Sequence, residues 1–209
     1  DRTTEWREPE IRTVRIIEHI SLDGVIQGPG GPEEDAVNGF SHGGWSVPHH
    51  DQAVGEAINA AQRTRFDLLL GRRTYDIFAG YWPLQTGPMA DSLNAAHKYV
   101  ATHRADSLAW GPAESLGADV GEGIRRVKSG DGPDMIVWGS STLTPLLLHH
   151  GLADEVLLLV FPVLIGRGKR FFSDASDPRE LSLVRTEAAA SGVLMNTYRP
   201  AGPMRTGSF

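Results

Sequence analysis

Residues 135–172 read MIVWGSSTLTPLLLHHGLADEVLLLVFPVLIGRGKRFF, and the order of signals in them decides the fold. An apolar run, Met135–Trp138, stops at Gly139, and the small polar residues Ser140, Ser141 and Thr142 follow. A leucine-rich segment, Leu143–His149, is broken at Gly151, Asp154 and Glu155 turn the chain, and a second apolar run, Val156–Phe161, begins. Both runs are apolar at every position, the pattern of strands covered on two faces in a parallel sheet. The stretch therefore predicts strand, glycine turn, helix, strand. A turn of that kind offers unpaired N–H groups to an anion, and glycine lets a phosphate approach the backbone. The glycine spacing matches neither the dinucleotide fingerprint nor a P-loop.

Working outward, the same alternation recurs. Thr13–Ser21 reads as the first strand, closed by the turn pair Asp23-Gly24. Val25–Gly44 is a long glycine-rich segment, and a loop of that length in a compact domain is usually functional. Asp51–Arg65 predicts a helix with Asp51 as its cap, and Phe66–Leu70 a strand ending at Gly71-Arg72-Arg73-Thr74. Short helices are expected at Thr74–Phe78 and Met89–Ala96, a strand at Lys98–Thr102, and an amphipathic helix at Val120–Ser129. Leu181–Ala189 and Gly192–Arg199 predict an antiparallel hairpin. The fold class is thus α/β, with a mostly parallel central sheet flanked by helices and a C-terminal antiparallel hairpin. One domain is expected over residues 13–199, with residues 1–12 and 200–209 as loose termini.

Composition narrows the function. At 209 residues the chain can bury a sizeable core, and a net charge of −6 argues against nucleic acid or an anionic membrane as partner. There is no cysteine, so disulfides and thiolate chemistry are excluded. No apolar run approaches the length of a spanning helix, and a soluble cytoplasmic protein is expected. His42, His49, His50 and Asp51 lack the spacing of a hydrolytic metal site, so no metal is expected.

Three expected strand ends carry groups suited to phosphates: Gly71–Thr74, Thr102–Arg104 and Gly139–Thr142. In parallel sheets ligands bind beyond the carboxyl ends of the strands. Arg72, Arg73 and Arg104 have the forked geometry that grips phosphate oxygens. An elongated, multiply phosphorylated ligand follows.

Ser21-Leu22-Asp23-Gly24, Gly71-Arg72-x-Thr74-Tyr75, Trp138-Gly139-Ser140 and Pro162-Val163-Leu164-Ile165-Gly166-x-Gly168-x-x-Phe171-Phe172 together resemble the dihydrofolate reductase-like family. The resemblance is closest to the branch containing the C-terminal reductase domain of bifunctional riboflavin-biosynthesis enzymes, and it spans Thr13 to Arg199. It implies a three-layer fold with NADPH laid across the strand ends. It implies that Gly71, Arg72, Arg73 and Thr74 contact the adenosine phosphate and pyrophosphate, and that Thr102, His103 and Arg104 help hold the 2′-phosphate. Gly139, Ser140, Ser141, Thr142 and Leu143 would cradle the pyrophosphate, and Val25 and Ile26 would line the nicotinamide. Trp45, Phe78, Tyr81, Trp82 and Phe161 fall on the substrate side, with Gly166 placed to meet a substrate tail. A homodimer is also implied.

For the chemistry, an alignment through Trp45–Asp51 puts His50 near the position of the carboxylate that grips the pterin in dihydrofolate reductases, with Asp51 next. Adjacent helical residues point about 100° apart, so one of the two faces the pocket. Asp23, at the end of the first strand, is the other candidate. The leading expectation is an NADPH-dependent reductase of a pteridine- or ribosylaminopyrimidine-like heterocycle. Dihydrofolate reductase proper and a non-catalytic NADPH-binding protein are the alternatives.

Overall fold

A computed structural model describes residues 11–62, 65–172 and 176–208. Its sheet has eight strands: β1 (Val14–Ser21), β2 (Asp67–Gly71), β3 (Lys98–Ala101), β4 (Ala113–Ser115), β5 (Met135–Trp138), β6 (Glu155–Phe161), β7 (Arg179–Ala188) and β8 (Leu194–Pro203). Among the described residues five α-helices accompany them: α1 (Gln52–Gln62), α2 (Arg72–Tyr81), α3 (Pro88–Ala95), α4 (Val120–Lys128) and α5 (Leu143–His149). The strand order is β4-β3-β2-β5-β1-β6-β8-β7. Neighbours from β4 to β6 pair in parallel, whereas β8 runs antiparallel to β6 and β7 antiparallel to β8.

Strand parity sorts the core into two layers. Ile17, Ile136 and Trp138 face one side, where α1, α2 and α3 contribute Val54, Ile58, Tyr75 and Leu93. Ile16, Ile20, Met135 and Val137 face the other, where α4 and α5 contribute Ile124, Val127, Leu143 and Leu147. β1 sits at the centre, between β5 and β6, in register Ile17↔Trp138 on one side and Ser21↔Phe161 on the other. Every residue of β5 is buried, as a strand covered on both faces requires.

Several boundaries differ from expectation. α2 begins at Arg72 and runs to Tyr81, because Gly71 serves as its N-cap and the following Pro83 ends it. The last residues expected in the first helix include 63 and 64, which lie outside the described residues. Residues 1–10 of the expected loose terminus do so too. Arg12 is not loose: it is buried, donates to Pro133 O at 2.6 Å, pairs with Asp67 and lies over the Tyr99 ring. The C-terminal strand likewise continues past Arg199 to Pro203, paired with β7 at Arg179↔Pro203. β4 was not anticipated at all.

Candidate active site

Because the parallel strands share a direction, the ends of β1, β2 and β5 reach one edge of the sheet together. Two distant turns touch there. A Cβ placed on Gly71 would lie 2.5 Å from Ser140 Oγ and 3.1 Å from Ser140 Cβ, so glycine is what allows the approach. Gly139 and Ser140 both have positive φ, 58° and 80°. For Ser140 that is a strained backbone, held because its Oγ accepts from Leu143 N at 3.0 Å and its carbonyl from Thr144 N at 3.1 Å.

Beyond this edge lies a cleft of about 1150 Å³. Arg72, Arg73 and Thr74 of α2, Gly139–Thr142, the loop from Ile26 to Asp35, and Glu18 and His19 of β1 all line it. Among the described residues no side chain caps α2, which leaves its first amides available, and the N–H groups of Ser141 and Thr142 have no acceptor.

One wall is aromatic. His19 stacks on Phe161 at 5.4 Å and 18°, on His50 at 5.1 Å and 21°, and on Trp138 at 6.0 Å and 26°. The two imidazole Nε2 atoms are 3.1 Å apart, so one ring donates and the other accepts. Burial pushes the His19 pKa down to about 3, with a further push from His50; burial also lowers that of His50, against the opposing effect of Asp51. Both rings are therefore neutral at pH 7. Phe78, Tyr81 and Trp82 form the facing edge, with Trp82 edge-on to both Phe78 and Tyr81. A planar ring of low charge suits the space between these walls.

The polar groups are unevenly paired. Arg73 and Lys169 both reach Asp35, at 3.3 and 2.6 Å. Arg72 is held within the protein: Nε donates to Asp76 at 2.9 Å, and Nη1 to Arg104 O at 3.0 Å and Ser107 Oγ at 2.8 Å. It ties the start of α2 to the end of β3 and is not free to grip a phosphate alone. Among the described residues Glu18, 3 % exposed, has no hydrogen-bond partner for Oε2, and neither does Trp138 for Nε1. Two unpaired polar groups facing one cleft are the mark of a ligand site, because leaving them dry is costly.

The expected residues divide accordingly. Ile26, His50, Arg72, Arg73, Thr74, Gly139, Ser140, Ser141, Thr142, Phe78, Tyr81 and Trp82 line the one cleft. Gly71 underlies it through Ser140. Thr102 and Arg104 sit one layer back, joined to it by Arg72, and His103 is exposed on the same loop. Val25 and Leu143 are core residues beneath the site, and Phe161 is a wholly buried floor under the two histidines. Trp45 donates to Gln27 O at 2.8 Å and meets Phe161 edge-on, which fixes the loop rather than opening onto the cleft.

Three expectations are corrected by the geometry. Asp51 is turned away, accepting from Val54 N at 3.0 Å as the cap of α1 and from Ser191 N at 3.1 Å. Asp23 does not reach the cleft either. Its carboxylate accepts from Ser21 Oγ at 2.7 Å, Ile165 N at 3.1 Å and Gly166 N at 2.6 Å, and the Ser21 bond leads in lowering its pKa to about 2. It is an ionised clamp, unsuited to giving up a proton. Gly166, whose N–H it holds, is outside the cleft with it. Sequence reasoning missed Glu18, His19 and the loop acids Glu33, Glu34 and Asp35; a charged residue inside a strand apolar on both faces was the available signal. Among the described residues no three His, Asp or Glu side chains converge as a metal-ligand set.

A mixed, mostly parallel sheet with helices on both faces, a C-terminal antiparallel hairpin and a cleft across the strand ends makes this a dihydrofolate reductase-like fold. The chain belongs to the RibD C-terminal domain family, whose profile matches residues 12–195. It is 24 % identical over 184 residues to the uncharacterized protein YyaP of Bacillus subtilis strain 168, covering 86 % of this chain and 90 % of YyaP. Among solved structures it resembles a Shewanella sp. PV-4 protein assigned to riboflavin biosynthesis, with TM-score 0.62, 16 % identity, and coverage of 90 % of this chain and 99 % of that one. A pyrimidine reductase-like protein from Corynebacterium diphtheriae gives TM-score 0.57, 14 % identity, and coverage of 91 % and 92 %. Dihydrofolate reductase from Enterococcus faecalis complexed with NADP(H) and RAB-propyl gives 0.58, 14 %, and 90 % and 96 %.

Proposed function

We propose that this chain is an NADPH-dependent reductase of a small, flat heterocycle of pteridine- or ribosylaminopyrimidine-like shape. The observation that carries the reading is the convergence of Arg73, Thr74, Ser141 and Thr142 on the same cleft as the stacked His19–His50 wall. The donors fit a dinucleotide: an uncapped helix start, free turn amides and a glycine pair that lets a phosphate close on the backbone. Arg73 and Thr74 would hold phosphate oxygens, and Ser141 and Thr142 would meet the pyrophosphate. Arg72 orients the α2 start toward them through Arg104 and Ser107.

When bound, the dinucleotide supplies the hydride. The chain itself positions the acceptor ring between His19, His50, Phe78 and Trp82 and keeps water from its faces. His50, exposed at the rim and bonded to His19, is neutral at pH 7 and would first take a proton from solvent before passing one to the ring. Dihydrofolate reduction fits less well, because Asp51 is committed to capping α1. Among the described residues no helix is long and apolar enough to cross a membrane. A homodimer and a cytoplasmic setting belong to the same proposal; the exposed Leu183 and Val184 of the edge strand β7 suit a partner copy, and light scattering checks it. Titration of NADPH against tryptophan fluorescence tests the core of the reading. Saturable quenching at micromolar NADPH is expected, and its absence would reject both the reductase and a non-catalytic NADPH-binding protein.

A further inference from the structure

Glu18 is a buried carboxyl lining the cleft, and its Oε2 has no hydrogen-bond partner among the described residues. It belongs to β1, on the same face as Ile16 and Ile20, and is 3 % exposed. A Cβ built on Gly139 would lie 3.9 and 4.0 Å from its two carboxyl oxygens and 3.8 Å from Thr74 Oγ1. The carboxyl, the Thr74 hydroxyl and the bare backbone of Gly139 thus surround one point. That point is where the two phosphate-directed turns meet.

Among the described residues no cation answers Glu18. Arg72 pairs with Asp76, and Arg73 and Lys169 pair with Asp35. The loop covering the cleft adds Glu33, Glu34 and Asp35, and the neighbouring His19 and His50 are neutral. Burial pushes the Glu18 carboxyl well above the usual carboxylate range; a backbone hydrogen bond at His19 opposes this, and Glu34 adds to it. An ionised Glu18 beside an anionic ligand would repel it, whereas a protonated one is a donor aimed at it.

We propose that Glu18 is a ligand-binding residue acting as a carboxylic acid, donating its O–H to an oxygen of the group seated at Gly139 and Thr74, so that binding carries a proton with it. This rests on the dinucleotide reading above. It adds a residue that neither the strand-end turns nor the aromatic wall supplies, and it gives binding a pH signature.

The probe is NADPH, titrated by tryptophan fluorescence from pH 7 to pH 10 against the wild-type chain and Glu18→Gln, which keeps a neutral donor and loses the titration. The 2′-phosphate is already ionised in this range, with its second pKa near 6. Wild-type affinity is expected to fall by about tenfold per pH unit once the pH passes the Glu18 pKa of the free protein. Glu18→Gln is expected to bind with a flat profile, because its amide donor does not titrate. An indicator dye in weak buffer reads the wild type directly, without any variant: proton uptake approaching one per NADPH is expected at the alkaline end. Equal slopes in the two proteins, or NADPH binding without proton uptake across the range, would overturn the assignment of Glu18 and leave the dinucleotide reading standing. Absence of saturable binding by the wild type at every pH would overturn both.

Discussion

Gly71→Ala isolates the contact on which the cleft depends. The native φ of Gly71 is −69°, which alanine adopts freely, so the backbone offers no objection. The objection is the new methyl, 2.5 Å from Ser140 Oγ and 3.1 Å from Ser140 Cβ. Ser140 cannot swing aside, because its Oγ holds Leu143 N and its carbonyl holds Thr144 N. Overpacking of this kind costs about 1–3 kcal/mol. Ser140→Gly removes both clashing atoms and suits the φ of 80°. In that background Gly71→Ala is expected to be neutral or to stabilise by about 0.4–1 kcal/mol through the unfolded chain. Urea denaturation of the four proteins, followed by tryptophan fluorescence, closes a double-mutant cycle with an expected coupling of about 1–4 kcal/mol. The single Gly71→Ala variant should also bind NADPH more weakly, since the two turns are pushed apart. A cost for Gly71→Ala that is the same with and without Ser140 would show that the turns do not bear on each other.

Two further outcomes follow from particular residues. Asp51→Ala is expected to lower the urea midpoint, by removing the cap of α1 and the tie to Ser191, while leaving NADPH affinity unchanged; a loss of affinity with unchanged stability would return Asp51 to the site. Lys98 is buried with no carboxylate partner among the described residues, donating to Asn94 O at 2.7 Å over the Trp110 ring, and burial lowers its pKa from 10.5 to about 8. Between those two values the unfolded chain binds more protons, so the stability of the wild type relative to Lys98→Met should rise from about pH 8 to pH 10.5 and be lowest below pH 8. Denaturation midpoints across that range check the sign, and a falling difference refutes it.

The segments readable from sequence were those whose pattern and partners are local. Met135–Trp138 and Leu143–His149 were placed to the residue, because an all-apolar run ends at a glycine and a helix ends before Gly151. β4 escaped because three residues at a sheet edge carry no period, and their role is set by pairing with β3. Arg72 lines the cleft, yet the sequence does not show that its guanidinium is already held, since its partners Arg104 and Ser107 are distant in the chain. Asp23 and Asp51 were read as candidates for chemistry by position alone; the backbone amides that claim them come from other loops. Glu18 and His19 were hidden inside a strand that reads as core. Their meaning depends on which neighbours leave them unpaired, and only the assembled sheet decides that.

Asp35 stands between Arg73 and Lys169, its carboxylate filling the gap that two cations hold open. A dianion arriving there exchanges one set of ion pairs for another, so its affinity measures the difference between two occupants and not the strength of either. The segment bearing Asp35 must lose its anchors as the newcomer gains them. On the proposed reading, admission of the cofactor and release of that strap would be a single event, and any salt that weakens one arrangement would weaken its rival as well.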